Sequence, residues 1–163
     1  MDAGFEIFIR PADNKDCARV RNLVFGILGE YGLTIETGGT DADIADIEAN
    51  YIKRGGVFEV IEDAEGNLLG TIGLYPLPAG DGKTIELRKM YFDPKLRGRG
   101  VGKLMLERMI EKARARGFRR IYLETASVLK EAAALYEKYG FQPTTDGIHS
   151  KRCDAAYFLE LDK

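Results

Sequence analysis

The sequence is poor in the residues that bind transition metals. It holds one histidine, His149, and two cysteines, Cys17 and Cys153. The cysteines lack CxxC spacing and have no cluster of histidines to join, which argues against a structural zinc site. Long apolar runs are missing as well. None approaches the roughly 20 residues of a membrane span, and the opening MDAGFEIFIRPAD has neither the basic start nor the apolar stretch of a secretory signal. These absences place the chain in the cytoplasm with reduced thiols. Nor does charge of one sign dominate: 24 Lys plus Arg face 26 Asp plus Glu, a net charge of -2. Such a balance gives no general attraction for nucleic acid or membrane, so any anion site must be local. Internal repeats, low-complexity tracts and linkers are absent too, and 163 residues suit a single domain spanning 1–163.

What is present is hydrophobic periodicity of both kinds. FEIFIR alternates as a short strand over 5–10. Val20, Leu23, Val24, Ile27 and Leu28 recur at helical spacing over 16–28, and Ile44, Ile47 and Tyr51 suggest a second helix over 41–51. VFEVIED and LLGTIGLYPL flank a Glu-Gly-Asn turn and read as an antiparallel hairpin. IELRKMYF is a further strand. Leu104, Met105, Met109, Ile110 and Ala113 form one stripe of a helix over 101–116, followed by strand RRIYLET, a helix over 130–139 and strand AAYFLEL. The order β, α, α, β, β, β, α, β, α, β predicts an α/β (α+β) fold, a mixed central sheet of six to seven strands flanked by about four helices.

The segment with chemical content is KMYFDPKLRGRGVGKLMLERM. A strand runs through Arg97, Gly98, Arg99, Gly100, Val101 and Gly102 into a helix. Glycine lets backbone approach a ligand, and the first amides of a helix have no partner inside it. With the helix dipole and the flanking Arg97, Arg99 and Lys103, they offer a cradle for phosphate; a solvated glycine-rich turn is the plainer reading. A P-loop is excluded by spacing and by Leu104 where Ser or Thr belongs. A dinucleotide fingerprint starting at Gly98 needs glycine where Lys103 stands, although Glu124 does fall about 20 residues further on.

The same segment resembles the acetyl-CoA signature of the GCN5-related N-acetyltransferases, or GNAT family, with Arg97, Gly100 and Gly102 at the matching positions. Glu86 to Phe92 is similar to the family strand that precedes it, and LYEKYGF, 135–141, to the late family helix and its exit. The resemblance implies a GNAT fold in which two central parallel strands splay apart to admit the pantetheine arm of acetyl-CoA. Met90, Tyr91 and Phe92 would supply the backbone edge for that arm. Amides from about Arg99 to Lys103 would hold the pyrophosphate, and a strand amide near Leu87 to Met90 would face the acetyl carbonyl. Leu129 stands where relatives often have asparagine, which leaves Ser127 or Lys130 as substitutes. No metal is implied, and a homodimer is compatible with the family.

An alkyl amine is mostly protonated at neutral pH, so attack on a thioester needs a base, and the departing thiolate gains from an acid. By resemblance, Tyr136 is the general acid; packing with Leu135 and Tyr139 is the alternative. Glu86 is either the general base or the partner of an arginine such as Arg88. Arg88 and Lys89 lie mid-strand, where a buried cation needs an anionic partner, and a bulge in this strand would bring Lys89 round. Arg88, with Arg152 or His149 from the tract HSKRCD, is expected to hold the carboxylate or phosphonate of a small amino-acid-like amine acceptor. Cys153 reads as a small buried residue. A non-catalytic acetyl-CoA or metabolite sensor is the alternative function, against which Tyr136 counts.

Overall fold

The computed structural model describes residues 5–77, 80–148 and 150–161. One mixed sheet has the strand order β1-β2-β3-β4-β5-β7-β6. Its strands are β1 (Ile7–Pro11), β2 (Val57–Asp63), β3 (Leu68–Pro76), β4 (Thr84–Phe92), β5 (Arg120–Thr125), β6 (Gln142–Thr144) and β7 (Ala155–Glu160). Helices α1 (Cys17–Glu30) and α2 (Ile47–Asn50) pack on one face, and α3 (Val101–Ala115) and α4 (Lys130–Lys138) on the other.

Alternation along the strands divides the core between these two faces. On β2, Val57 and Ile61 join the α3 side while Phe58 and Val60 join the α1 side. Helix α1 buries Val20, Val24, Ile27 and Leu28 as the 3.6-residue period requires. On α3 the buried stripe is Val101, Met105, Leu106, Met109, Ile110 and Ala113, whereas Leu104, expected on it, is 41% exposed.

Two elements differ from expectation. The helix expected over 41–51 is a 3₁₀ turn at Thr40–Ala45, a four-residue helix at Ile47–Asn50 and a second 3₁₀ turn at Ile52–Arg54. Asp46 interrupts it: its backbone leaves the helical region, and its carboxylate accepts the Ala49 N–H at 2.9 Å, restarting a helix. The edge strand β6 has only three residues, Gln-Pro-Thr, too few to show periodicity. The β2–β3 hairpin forms as expected, with Asp63 accepting the amides of Glu65 and Asn67 and Gly66 at φ 84°.

The decisive irregularity is in β4. Gly73 pairs with Arg88 and Thr71 with Tyr91, so β4 carries one residue more than β3 between those pairs, a β-bulge. Lys89 absorbs it at φ 57°, the single positive φ outside glycine among the described residues, and Thr71 Oγ1 donates to the Lys89 carbonyl at 2.7 Å. Ile85 and Leu87 before the bulge, and Met90 and Phe92 after it, all pack on the α3 side. The extra residue leaves Arg88 and Lys89 both facing the α1 and α2 side.

Candidate active site

Strands β4 and β5 are parallel and paired only at Thr84–Arg120, Ile85–Ile121 and Glu86–Tyr122. Both run on beyond this, and three neighbouring spaces that share lining residues lie around the gap between them. On the α2 side is a cleft of about 590 Å³ bordered by Tyr75, Glu86, Arg88 and Glu124. Along α3 and α4 lies a groove of about 450 Å³. A throat of about 60 Å³ adjoins both, sharing Thr40, Glu86, Arg88, Glu124 and Ser150 with the cleft and Met90, Tyr91, Leu129 and Ala132 with the groove.

The wall of the cleft is built on paired charges. Lys89 Nζ, almost wholly buried, stands 3.2 Å from Asp41 and 3.1 Å from Asp43. The second contact is an ion pair without hydrogen-bond alignment, since among the described residues Asp43 Oδ1 has no hydrogen-bond partner; the other oxygen, Oδ2, accepts from Lys89 and from the Tyr51 hydroxyl. Arg152 donates both terminal nitrogens to Asp41, at 2.6 and 2.9 Å, which ties the 150–153 tract to the Thr40–Ala45 turn. Glu36 strengthens that tie by accepting from Ser150 Oγ and from the amides of Lys151 and Arg152. Arg88 donates Nε to Glu86 at 2.9 Å and lies over the Tyr75 ring at 3.8 Å.

In the throat, burial raises the Glu86 carboxyl above the ordinary range, with the Glu124 charge adding to it and Arg88 and Lys89 opposing. Glu124 is fixed by the Tyr122 hydroxyl at 3.0 Å and the Ser150 amide at 2.9 Å. Tyr136, from α4, is 5% exposed; its hydroxyl reaches the Met90 sulfur at 3.8 Å, and burial raises its pKa well above that of a free phenol. It is therefore a protonated donor at neutral pH. Cys153 also borders the throat, half-buried rather than buried, and burial raises its thiol, which disfavours the thiolate a nucleophile needs.

The groove ends at the start of α3. Gly98 and Gly100 take φ 77° and 78°, and the first amide of α3 to find a helical partner is that of Leu104, on Gly100 O at 3.1 Å. The amides of Val101, Gly102 and Lys103 therefore face the groove's end as donors to an anion. Gly102 leaves the space open: a Cβ there would meet Leu135 at 3.4 Å and Phe92 at 3.7 Å.

Comparison with known proteins decides what such a site belongs to. Residues 31–141 match the model of the acetyltransferase (GNAT) family. The chain belongs to the GNAT family. It is 42% identical to the uncharacterised N-acetyltransferase YjgM of Escherichia coli, over 80% of this chain and 77% of that one. A GNAT-family acetyltransferase structure from Staphylococcus aureus superposes with a TM-score of 0.89 at 25% identity, covering 96% of this chain and all of that one. YncA of Salmonella typhimurium, whose structure holds acetyl-CoA, gives 0.74 at 25% identity over 97% of this chain and 95% of its own. The protein is accordingly an N-acetyltransferase that uses acetyl-CoA.

Of the residues expected in a GNAT site, Met90, Tyr91, Phe92, Arg97, Gly98, Gly100, Val101, Gly102, Lys103 and Lys130 line the groove. Arg99 instead lies over the Phe5 ring at 4.2 Å and donates to Lys95 O. Ser127 gives both its amide and its hydroxyl to Asp154, outside the groove lining. Arg97 is clasped by Glu30 of α1, at 2.5 and 3.1 Å. Tyr136, Glu86, Arg88 and Arg152 meet around the throat. His149 lies outside the described residues. Sequence reasoning missed Asp41 and Asp43 as site residues and weighed Glu124 only as the acid of a dinucleotide fingerprint. Glu124 had a signal: it alternates with Leu123 in a strand parallel to the one carrying Glu86. The two aspartates had none, since the turn that brings them to Lys89 was read as plain helix.

Proposed function

We propose that this acetyltransferase modifies the primary amine of a small acceptor by direct attack, with acetyl-CoA in the α3–α4 groove and the acceptor in the opposite cleft. The observation that carries the reading is convergence: Tyr136 from α4 and Glu86 from β4 border one narrow throat that shares its lining with both larger spaces. Acetyl-CoA, when bound, supplies the thioester electrophile.

The chain's own groups do the rest. The α3 amides and Lys103 hold phosphate at the groove's end, and the absent side chain of Gly102 leaves room beside Leu135. Glu86, with its raised carboxyl pKa, is poised to take a proton from an ammonium ion entering from the cleft. The Tyr136 hydroxyl, kept neutral by burial, gives a proton to the departing sulfur. Orientation in so tight a passage adds to the rate by fixing the amine against the thioester.

Tyr136→Phe tests the acid. Turnover should fall on the order of 10 to 1000-fold with little change in acetyl-CoA affinity, because only the proton for the leaving group is lost. Single-turnover kinetics with calorimetry of coenzyme binding separate the two effects. Wild-type chemistry in this variant would make Tyr136 a packing residue against Phe141 and Tyr157.

A further inference from the structure

We propose that the acceptor carries an acidic group beside its amine, an amino acid being the simplest case, and that Arg88 is the residue that selects it. The inference rests on the reading of the cleft as the acceptor site. Three cations, Lys89, Arg152 and Arg88, border the throat. Lys89 is enclosed by Asp41 and Asp43, with 2% of its side chain exposed. The fork of Arg152 is filled by Asp41, with 6% exposed.

Arg88 differs from both. Its side chain is 20% exposed, and its bond to Glu86 uses Nε alone. Nη1 stands 3.5 Å from Asp43, beyond a good hydrogen bond, and among the described residues Nη2 donates to nothing. The Tyr75 ring, 3.8 Å from the Arg88 guanidinium carbon, steadies the side chain, and Arg88 borders the cleft. A fork held this way, with Nη2 unengaged among the described residues and Nη1 only loosely paired with Asp43, suits a carboxylate or phosphonate through two parallel hydrogen bonds.

The remaining charges place the other end of the acceptor. Glu86 and Glu124 border both throat and cleft, so a cationic amine is drawn to the mouth of the throat. Glu86 and Arg88 are two residues apart on the same face of β4, and their side chains meet at 2.9 Å. An acceptor with its amine on the carboxylates and its acidic group on Arg88 must therefore be compact, with the two groups on neighbouring atoms. The other acids of the cleft offset Arg88 only in part. Glu36 is occupied by the 150–152 segment, and Asp43 divides its charge among Lys89, the Tyr51 hydroxyl and Arg88, whose Nη1 stands 3.5 Å away.

The test is a set of matched acceptors: an amino acid, its aminophosphonate analogue, the amine lacking the acidic group, and the neutral amide that separates charge from amine basicity. Free-thiol release is measured on the wild type, Arg88→Lys and Arg88→Gln, and acetyl-CoA calorimetry verifies that each variant is folded. The wild type should favour the acidic members by at least about tenfold in kcat/KM, Arg88→Lys should keep part of that ratio, and Arg88→Gln should bring it within about threefold of unity. A wild-type enzyme that is indifferent, or prefers the uncharged amine, overturns the inference. So does a ratio that survives in Arg88→Gln while every member slows equally, since Arg88 would then only be holding Glu86. Lack of turnover with any amine, with acetyl-CoA still binding, would overturn the proposed reaction as well as its acceptor.

Discussion

Arg88 and Lys89 are neighbours in sequence with different surroundings because one residue, Lys89, takes φ 57°. Simple alternation would send Lys89 into the apolar α3 side; the bulge turns it to Asp41 and Asp43 instead. That much was legible, since two cations in mid-strand demand anions and a bulge supplies the geometry. Which anions answered was not legible, because Asp41 and Asp43 lie more than 40 residues away. The Glu86 carboxyl shows the consequence for activity. Facing it are Arg88 and Lys89 from β4, Glu124 and Tyr122 from β5, Tyr51 at the end of α2 and Asp43 from the preceding turn. Burial raises its pKa, so kcat/KM should climb through an acid limb above the ordinary glutamate value of about 4.3. Arg88→Gln removes a charge that favours the ionised form and should move the limb to higher pH. Glu124→Gln removes a like charge and should move it lower. A pH–rate series on the three proteins checks both signs, and a limb that stays in place in both variants would mean Glu86 is not the group being titrated.

The start of α3 shows what an element's sequence can and cannot announce. Gly98, Gly100 and Gly102 stood out, and the structure gives each a reason: positive φ at the first two, space at the third. Hidden from the sequence was the clasp of Arg97 by Glu30, a contact between the turn before α3 and the end of α1, 67 positions apart. Also hidden were the side chains of Arg99 and Ser127, which hydrogen bonds to Lys95 and Asp154 hold elsewhere. The weak 41–51 helix belongs here too, since Asp46 at a cap and Asp41 and Asp43 drawn inward outweigh the spacing of Ile44, Ile47 and Tyr51. Gly102→Val is the prediction at this scale. Its φ is not in the left-handed region, so the helix tolerates a side chain, but the added carbons enter the groove beside Leu135 and Phe92. Acetyl-CoA affinity should fall about tenfold or more while the thermal midpoint moves by only a few degrees. Unchanged calorimetric affinity in the folded variant would remove the groove as the coenzyme site.

Seen as a whole, the molecule has two apolar clusters on opposite faces of one sheet, and Lys89 lies on the α1 and α2 side at the point where β4 leaves β5. Its ammonium gathers Asp41 and Asp43, Asp41 gathers Arg152, and Arg152 with Glu36 anchors the tract that closes the cleft. One buried cation thus connects the bulge, the 3₁₀ turn and the approach to β7. Taking out one member of a buried ion network leaves its partners charged and desolvated, which costs about 3 to 5 kcal/mol. Lys89→Met fills the same volume without the charge. It should lose stability near the lower end of that range, about 3 kcal/mol, because Arg152 still compensates Asp41 and Tyr51 still donates to Asp43. The loss should be partly restored by adding Asp43→Asn, which removes the buried negative charge that has lost its ammonium partner. Urea unfolding of the wild type, both single variants and the double variant measures this coupling. Strictly additive losses would show that Lys89 and Asp43 stabilise the fold independently, and that the buried ammonium does not couple the bulge to the 3₁₀ turn.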